Sequence, residues 1–148
     1  MTVIFSKKCE LGIQAVLFLS AQSDEYRFSA ARISEKLNVP KEFVSKVLQT
    51  LSHKKLIWSR KGKNGGFCLG KKASEIRLID IVEAIDGLDM FCNCVLGFSG
   101  CSDEHPCPVH DEWGGLRERA LEMLRSQTLE DLRDKIITKI DDIFKRNQ

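Results

Sequence analysis

The sequence predicts a mainly α-helical fold carrying one small β-hairpin, and three observations lead there. Apolar residues recur at helical spacing in successive stretches of both halves. One β-branched and aromatic run, Leu56-Ile57-Trp58-Ser59-Arg60, is followed by a glycine-rich turn and a short return run, Phe67-Cys68-Leu69. Residues 87–112 show neither period. A chain of 148 residues suffices for one domain with a real core and an appendage.

From Ser6 to about Ser20 the residues Leu11, Ile13, Ala15, Val16, Leu17, Phe18 and Leu19 are dense enough for a buried helix, with Ser6 as its N-cap. Residues 22–28 read as a polar turn. Ser29 is placed to cap a short helix over 30–37, with Ile33 and Leu37 on one face; Asn38-Val39-Pro40 stops it. Pro40 suits the first turn of the next helix, where its missing N–H costs little. That helix runs to about His53. Phe43, Val44, Val47, Leu48 and Leu51 form its apolar stripe, and Lys41, Glu42, Ser45, Lys46, Gln49 and Ser52 form the other face.

Two short helices joined by a tight turn, the second with a basic and polar face, make a helix-turn-helix pattern. The strand pair that follows, closed by Lys61-Gly62-Lys63-Asn64-Gly65-Gly66 with its Asn-Gly hairpin signal, supplies a wing tipped by Arg60, Lys61 and Lys63. The fold class is therefore a winged helix-turn-helix over 1–72. Ser45, Lys46 and Gln49 are the candidates for base-edge contact, with Glu42 able to accept from a cytosine amino group. Lys41, Arg60, Lys61 and Lys63 are candidates for phosphate or minor-groove contact. Each of these charges, taken alone, equally describes a solvated face.

Residues 73–148 are expected to hold a connecting helix, a loop and dimerisation helices. Ile76, Ile79, Ile81, Val82 and Ile85 make the first helix, which stops at Asp86-Gly87. After the 87–112 loop, Trp113, Leu116, Ala120, Met123 and Leu124 keep helical spacing. Ser126-Gln127-Thr128 breaks the run, and Thr128 with Asp131 is a cap signature for a last helix striped by Leu129, Leu132, Ile136, Ile137, Ile140, Ile143 and Phe144. These amphipathic helices must either fold back on their own domain or pack on a second chain. A twofold homodimer is expected, since it sets two recognition helices on half-sites about one DNA turn apart, on a palindromic operator.

Charge divides the same way. Residues 1–72 carry 14 Lys/Arg against 5 Asp/Glu, and residues 73–148 carry 9 against 16, so a half of charge +9 joins a half of charge −7. A polyanion-binding module joined to a part that does not touch the polyanion fits that split. Neither a leader peptide nor a run of transmembrane length is recognisable, so a cytoplasmic protein without membrane contact is expected. In that compartment six cysteines are reduced, metal-bound or redox-sensing sooner than paired in disulfides.

Three of the six, Cys94, Cys101 and Cys107, fall within fourteen residues of the Gly-, Pro- and Ser-rich loop, with His110 three positions on. So polar a loop buries little, and ligation by soft thiolates would offset its ordering entropy. Both an iron–sulfur cluster and zinc accept such donors, although the loop lacks the close Cys-x-x-Cys knuckle common in zinc modules. Cys9 and Cys68 read as small buried residues. His53, His105, Asp103 and Glu104 read as surface groups. An enzyme built on Cys107 and His110 is disfavoured, because no oxyanion-hole motif accompanies the pair, and no catalytic residue is assigned.

The wing residues Arg60-Lys61-Gly62, Gly65-Gly66-Phe67 and Leu69, with the three-cysteine loop ending before Trp113, resemble the Rrf-two (Rrf2) family of bacterial regulators from about Ser6 to Ile143. The resemblance implies a dimeric winged-helix transcription factor, a repressor in the expected sense, whose long helix after the cysteines forms the dimer seam. It also implies an iron–sulfur cluster near that seam, with two irons favoured over four, reporting iron–sulfur, redox or nitric-oxide status. Its thiol ligands would be Cys94, Cys101 and Cys107. Family members complete the set either with a histidine three residues after the last cysteine, here His110, or with a carboxylate early in the first helix of the other subunit, here Glu10. The Cys94–Cys101 segment is one residue longer than is usual in such loops, and Cys92 is a rival first ligand; Cys94 fits the family spacing better. The alternative is a cluster-free regulator of the same fold, answering to thiol oxidation, zinc or a small molecule.

Overall fold

The computed structural model describes residues 4–22, 26–136 and 142. It contains the expected helices and hairpin. α1 (Lys7–Ser20) begins where the Ser6 hydroxyl accepts from the Cys9 amide at 3.0 Å. The Ser6 amide in turn donates to Asp86 Oδ2 at 2.8 Å, which ties the start of α1 to the end of the connecting helix. Two sides of α1 are covered. Leu11, Ala15, Val16, Phe18 and Leu19 enter the main core, while Cys9 enters a second cluster with Val82, Phe91, Leu121 and Leu124.

α2 (Ala30–Leu37) starts at Ser29, whose hydroxyl accepts from the Arg32 amide at 3.2 Å, and ends at Asn38 in the left-handed region, φ 52°. Asparagine tolerates that conformation better than most residues. α3 (Lys41–His53) follows two residues later. Pro40 stands at its N-cap, one position before the first turn, where its lack of an N–H is equally harmless. Val44, Val47, Leu48 and Leu51 of α3 are fully buried against Ile33 and Leu37 of α2.

β1 (Ile57–Arg60) and β2 (Gly66–Leu69) pair antiparallel, with Ile57 opposite Leu69, Trp58 opposite Cys68, Ser59 opposite Phe67 and Arg60 opposite Gly66. The connection is a five-residue loop and not a two-residue Asn-Gly turn. The left-handed positions fall on Gly62 (φ 108°) and Gly66 (φ 141°), and the Gly65 amide donates to the Gly62 carbonyl at 3.0 Å. Gly66 is doubly constrained, because a Cβ there would also lie 2.9 Å from the Phe28 backbone. That approach exists because Phe28 bridges to Phe67 on the free side of β2, with N–O distances of 3.0 and 2.8 Å. Phe28 then meets the Phe18 ring edge-on at 5.1 Å, which seats the hairpin on α1.

α4 (Leu78–Ile85) starts later than the Ile76 stripe suggests. Ile76 and Arg77 are extended, and Arg77 bridges to Thr128. Gly12 of α1 lets α4 approach closely, since a Cβ there would lie 2.2 Å from Ile85 Cδ1. α5 (His110–Ser126) begins at His110, so the last three residues of the expected 87–112 loop are helical, and a short 3₁₀ turn, Asp89–Phe91, interrupts its start.

α6 (Leu129–Ile136) opens with the expected cap. Thr128 Oγ1 accepts from the Asp131 amide at 3.2 Å and the Thr128 amide donates to Asp131 Oδ2 at 3.0 Å. Ile137, Ile140, Ile143 and Phe144 of the predicted stripe lie outside the described residues.

The two ways of burying the last helices are both relevant. Leu129 of α6 folds back into the main core beside Ile76 and Ile81, so packing runs across residue 72. α5 buries Leu121 and Leu124 against α4, but leaves Leu116 (60% exposed) and Met123 (51%) on its outer face. Among the described residues no helix is long and apolar enough to cross a membrane.

Candidate metal centre and nucleic-acid interface

The cysteine loop hangs between α4 and α5 and is fastened at both ends. Phe91, 6% exposed, anchors its start in the cluster under α5. Two residues on, the Asn93 carbonyl accepts from Trp113 Nε1 at 3.0 Å. Further along, Ser102 and His105 exchange backbone bonds of 3.3 and 3.1 Å, closing a tight turn with Asp103 and Glu104 at its tip. At the far end the His110 amide donates to the Cys107 carbonyl at 3.1 Å as α5 begins.

This path gathers three thiols. The sulfurs of Cys94, Cys101 and Cys107 all lie within 4.8 Å of one another and are half-buried. Cys92 is exposed and stands outside the group. Cys9 is fully buried; desolvation, followed by the nearby Asp86 carboxylate, pushes its thiol up to about 12, which leaves it an inert core residue. Cys68 is half-buried on β2.

His110 meets one member of the triad, Cys101, and stands outside the group whose ligand atoms all lie within 4.8 Å of one another. Its Nδ1 meets Cys101 Sγ at 3.2 Å and its Nε2 meets Asp103 Oδ1 at 2.9 Å. The Cys107 backbone and then the His110 imidazole pull the Cys101 thiol down to about 7, so a large share is thiolate at neutral pH. The Val109 backbone pulls the Cys107 thiol down, but desolvation and the neighbouring Cys94 and Cys101 sulfurs outweigh it and the net shift is upward. The Asp103 carboxylate, followed by Cys101, raises His110. Thiols this close resist shared ionisation.

Within one chain Glu10 is not brought to the thiols. It pairs with Lys7 at 3.1 Å and lines a hollow beside Leu37, Asn38 and Phe43. Asp103 was read from sequence as a solvated charge, and its side chain is indeed fully exposed, yet it holds the histidine. Trp113 was read as an apolar helix position, and its indole also straps the loop. Neither role has a local signal, because each depends on where a turn closes some distance along the chain.

In the N-terminal half, α3 turns its fully buried stripe inward and leaves Lys41, Glu42, Lys46 and Gln49 exposed, with Ser45 half-buried among them. Arg60, Lys61 and Lys63 are exposed along the hairpin and its loop. Strand alternation puts Trp58, 67% exposed, on the same hairpin face as Arg60, where sequence reading gave it no role beyond the strand.

A helix-turn-helix with a wing, joined to a thiol loop, has close relatives. The sequence model of the Rrf2 family, described as an iron-dependent transcriptional regulator, matches residues 5–135. The HTH-type transcriptional regulator IscR of Photorhabdus laumondii is 30% identical over 127 residues, which cover 86% of this chain and 77% of that protein. The structure of CymR (YrzC), the global cysteine regulator of B. subtilis, is similar with a TM-score of 0.75 at 25% identity, over 90% of this chain and 98% of that one. T. potens IscR shares the fold, with a TM-score of 0.72 at 21% identity over 91% and 88% of the two chains. These relatives are regulators and not enzymes. With the family match spanning the winged helix, the cysteine loop and α5, the chain belongs to the Rrf2 family of transcriptional regulators.

Proposed function

We propose that this regulator reads a palindromic operator as a homodimer, and that an iron–sulfur cluster on Cys94, Cys101 and Cys107 governs how it sits on DNA. The observation that carries this reading is the convergence of three thiols within 4.8 Å on a loop of an Rrf2-family fold. The donor set fits such a group. Three soft sulfurs stand ready, one of them readily ionised, with His110 in its own chain or Glu10 of the partner subunit to complete the set. When bound, the cluster supplies metal–sulfur bonds that respond to iron supply, redox state and nitric oxide.

The chain's own residues carry the rest. Residues 1–72 form the reading region: Ser45, Lys46, Gln49 and Glu42 face base edges, while Lys41, Arg60, Lys61 and Lys63 hold phosphates or the minor groove. Residues 73–148 sense and pair, with the exposed Leu116 and Met123 of α5 as part of the seam. α5 packs on α4, and α4 packs on both α1 and α3, so a change in the loop has a contiguous route to the reading helix.

Protein purified without air from iron-replete cells should show visible iron–sulfur absorption, which alanine at all three cysteines should abolish while far-UV circular dichroism stays unchanged. Absorption that survives the triple change refutes the ligand assignment. A second reading has its own observation. Sulfurs around one tetrahedral centre, with metal–sulfur bonds of about 2.3 Å, stand roughly 3.8 Å apart, which falls inside the 4.8 Å that bounds the three sulfurs here. A single ion such as zinc therefore also suits the triad, and a colourless protein holding one equivalent of zinc would establish it.

A further inference from the structure

The fourth donor is open to two residues, and the geometry around His110 bears on the choice. A carboxylate only accepts hydrogen bonds, so the nitrogen that meets Asp103 carries a proton and is not the one free to bind a metal. That nitrogen is Nε2, at 2.9 Å, which turns Nδ1 toward Cys101 Sγ at 3.2 Å. Both ends of the contact stand on defined backbone. Asp103 is at the tip of the turn closed by the reciprocal Ser102–His105 bonds, and that turn is tightened by the Ser102 hydroxyl, which accepts from the His105 amide at 3.2 Å. His110 is the first residue of α5, held by its amide bond to the Cys107 carbonyl.

We infer that Asp103 is a positioning residue that makes His110 Nδ1 the fourth donor of the three-sulfur site. The inference rests on the reading that Cys94, Cys101 and Cys107 hold a metal group, and holds whether that group is a cluster or a single ion. A histidine ligand commonly gives its second nitrogen to a carboxylate, which fixes the ring and strengthens the donor. Here that carboxylate comes from within the ligand loop itself, between the second and third cysteines. The loop would therefore carry its complete donor set and its own brace. Glu10, paired with Lys7 on α1, is then not needed as a ligand.

The test uses full-length apoprotein titrated anaerobically with Co²⁺, whose thiolate charge-transfer and ligand-field bands report sulfur and nitrogen donors. Asp103→Ala should weaken Co²⁺ binding by about 10–100-fold. Asp103→Asn, which keeps an acceptor oxygen, should recover part of the loss. In a His110→Ala background, Asp103→Ala should cost nothing further, an outcome that a general loosening of the loop would not produce. In Zn²⁺-loaded protein carrying ¹⁵N-histidine, the His110 resonances should show Nδ1 on the metal and Nε2 protonated. Glu10→Ala should leave affinity unchanged.

Unchanged affinity in Asp103→Ala, an equal further loss in the His110→Ala background, or zinc on Nε2 each overturns the inference while the three-sulfur site stands. Weakening by Glu10→Ala with no effect of His110→Ala also overturns it. Absence of thiolate-to-cobalt absorption in the wild type overturns the three-sulfur reading itself, and this inference with it. The Asp103 side chain is fully exposed, and circular dichroism checks that each variant stays folded.

Discussion

Single residues on the two faces of α3 answer to different forces. Val44, Val47, Leu48 and Leu51 have no exposed surface, so their identities are set by packing. Lys41, Glu42, Lys46 and Gln49 touch little protein, so their identities are free to serve a ligand. Gln49→Ala should cost about 1–3 kcal/mol at the specific operator and little elsewhere, because a base contact discriminates sequence. Lys63→Ala, at the wing loop, should weaken binding to all DNA alike and lower the slope of affinity against salt by about one counterion. Titrations of operator and scrambled duplexes at several salt concentrations separate the two patterns. If Gln49→Ala weakens both duplexes equally, α3 does not read bases at that position. The helix-facing half of this division was legible in the sequence, since a 3.6-residue stripe marks the buried side. The Asp103–His110 contact was not, because the six residues of irregular chain between them carry no period from which a pairing could be inferred.

Three of the described helices, α1, α2 and α6, start at a side-chain cap. Ser6, Ser29 and Thr128 each accept an amide at the start of a helix, and all three starts were readable from residue type alone. Thr128→Ala should lower stability by about 1 kcal/mol, seen in chemical denaturation, since α6 enters the main core through the next residue, Leu129.

Asp131 completes that cap, and its hydrogen bonds to the Thr128 side chain and backbone hold its carboxyl below the usual range. A depressed folded value contributes stability that is fully present above the ordinary carboxylate range and is lost as pH falls through the folded value. Thermal melts of Asp131→Asn should therefore show a shallower acid limb than wild type. An identical acid limb would mean that the cap does not titrate in this way. The wing illustrates the opposite case. Its Asn-Gly pair signalled a hairpin correctly, but the bridge from Phe28 demands the special backbone at Gly66 instead.

At the scale of the molecule, the outer face of α5 is apolar and exposed. α5 buries one side on α4 and exposes Leu116 and Met123 on the other, which suits a seam between two copies better than a solvated face. Leu116→Glu with Met123→Glu should convert the proposed dimer to monomer in sedimentation velocity and reduce affinity for a full two-half-site duplex far more than for a half-site duplex. A double variant that sediments as wild type would place the seam elsewhere. The charge division, +9 against −7, follows the two halves of the sequence, with the basic half carrying α3 and the hairpin and the acidic half carrying the thiol loop and α5.

The sequence by itself determined the winged-helix architecture and the identity of the thiol loop, because periodicity, caps and cysteine spacing are local properties written in consecutive residues. Only the tertiary structure decided which thiols converge, since proximity of Cys94, Cys101 and Cys107 depends on how the turns at 94–97 and 102–105 fold the intervening chain. It also decided that Cys92 stays outside, that His110 begins a helix with its ring held by Asp103, and that Trp113 straps the loop to α5. The contacts behind these, Asp103 with His110 seven positions apart and Asn93 with Trp113 twenty apart, are made across irregular chain, where loop closure and not a repeating local preference governs them.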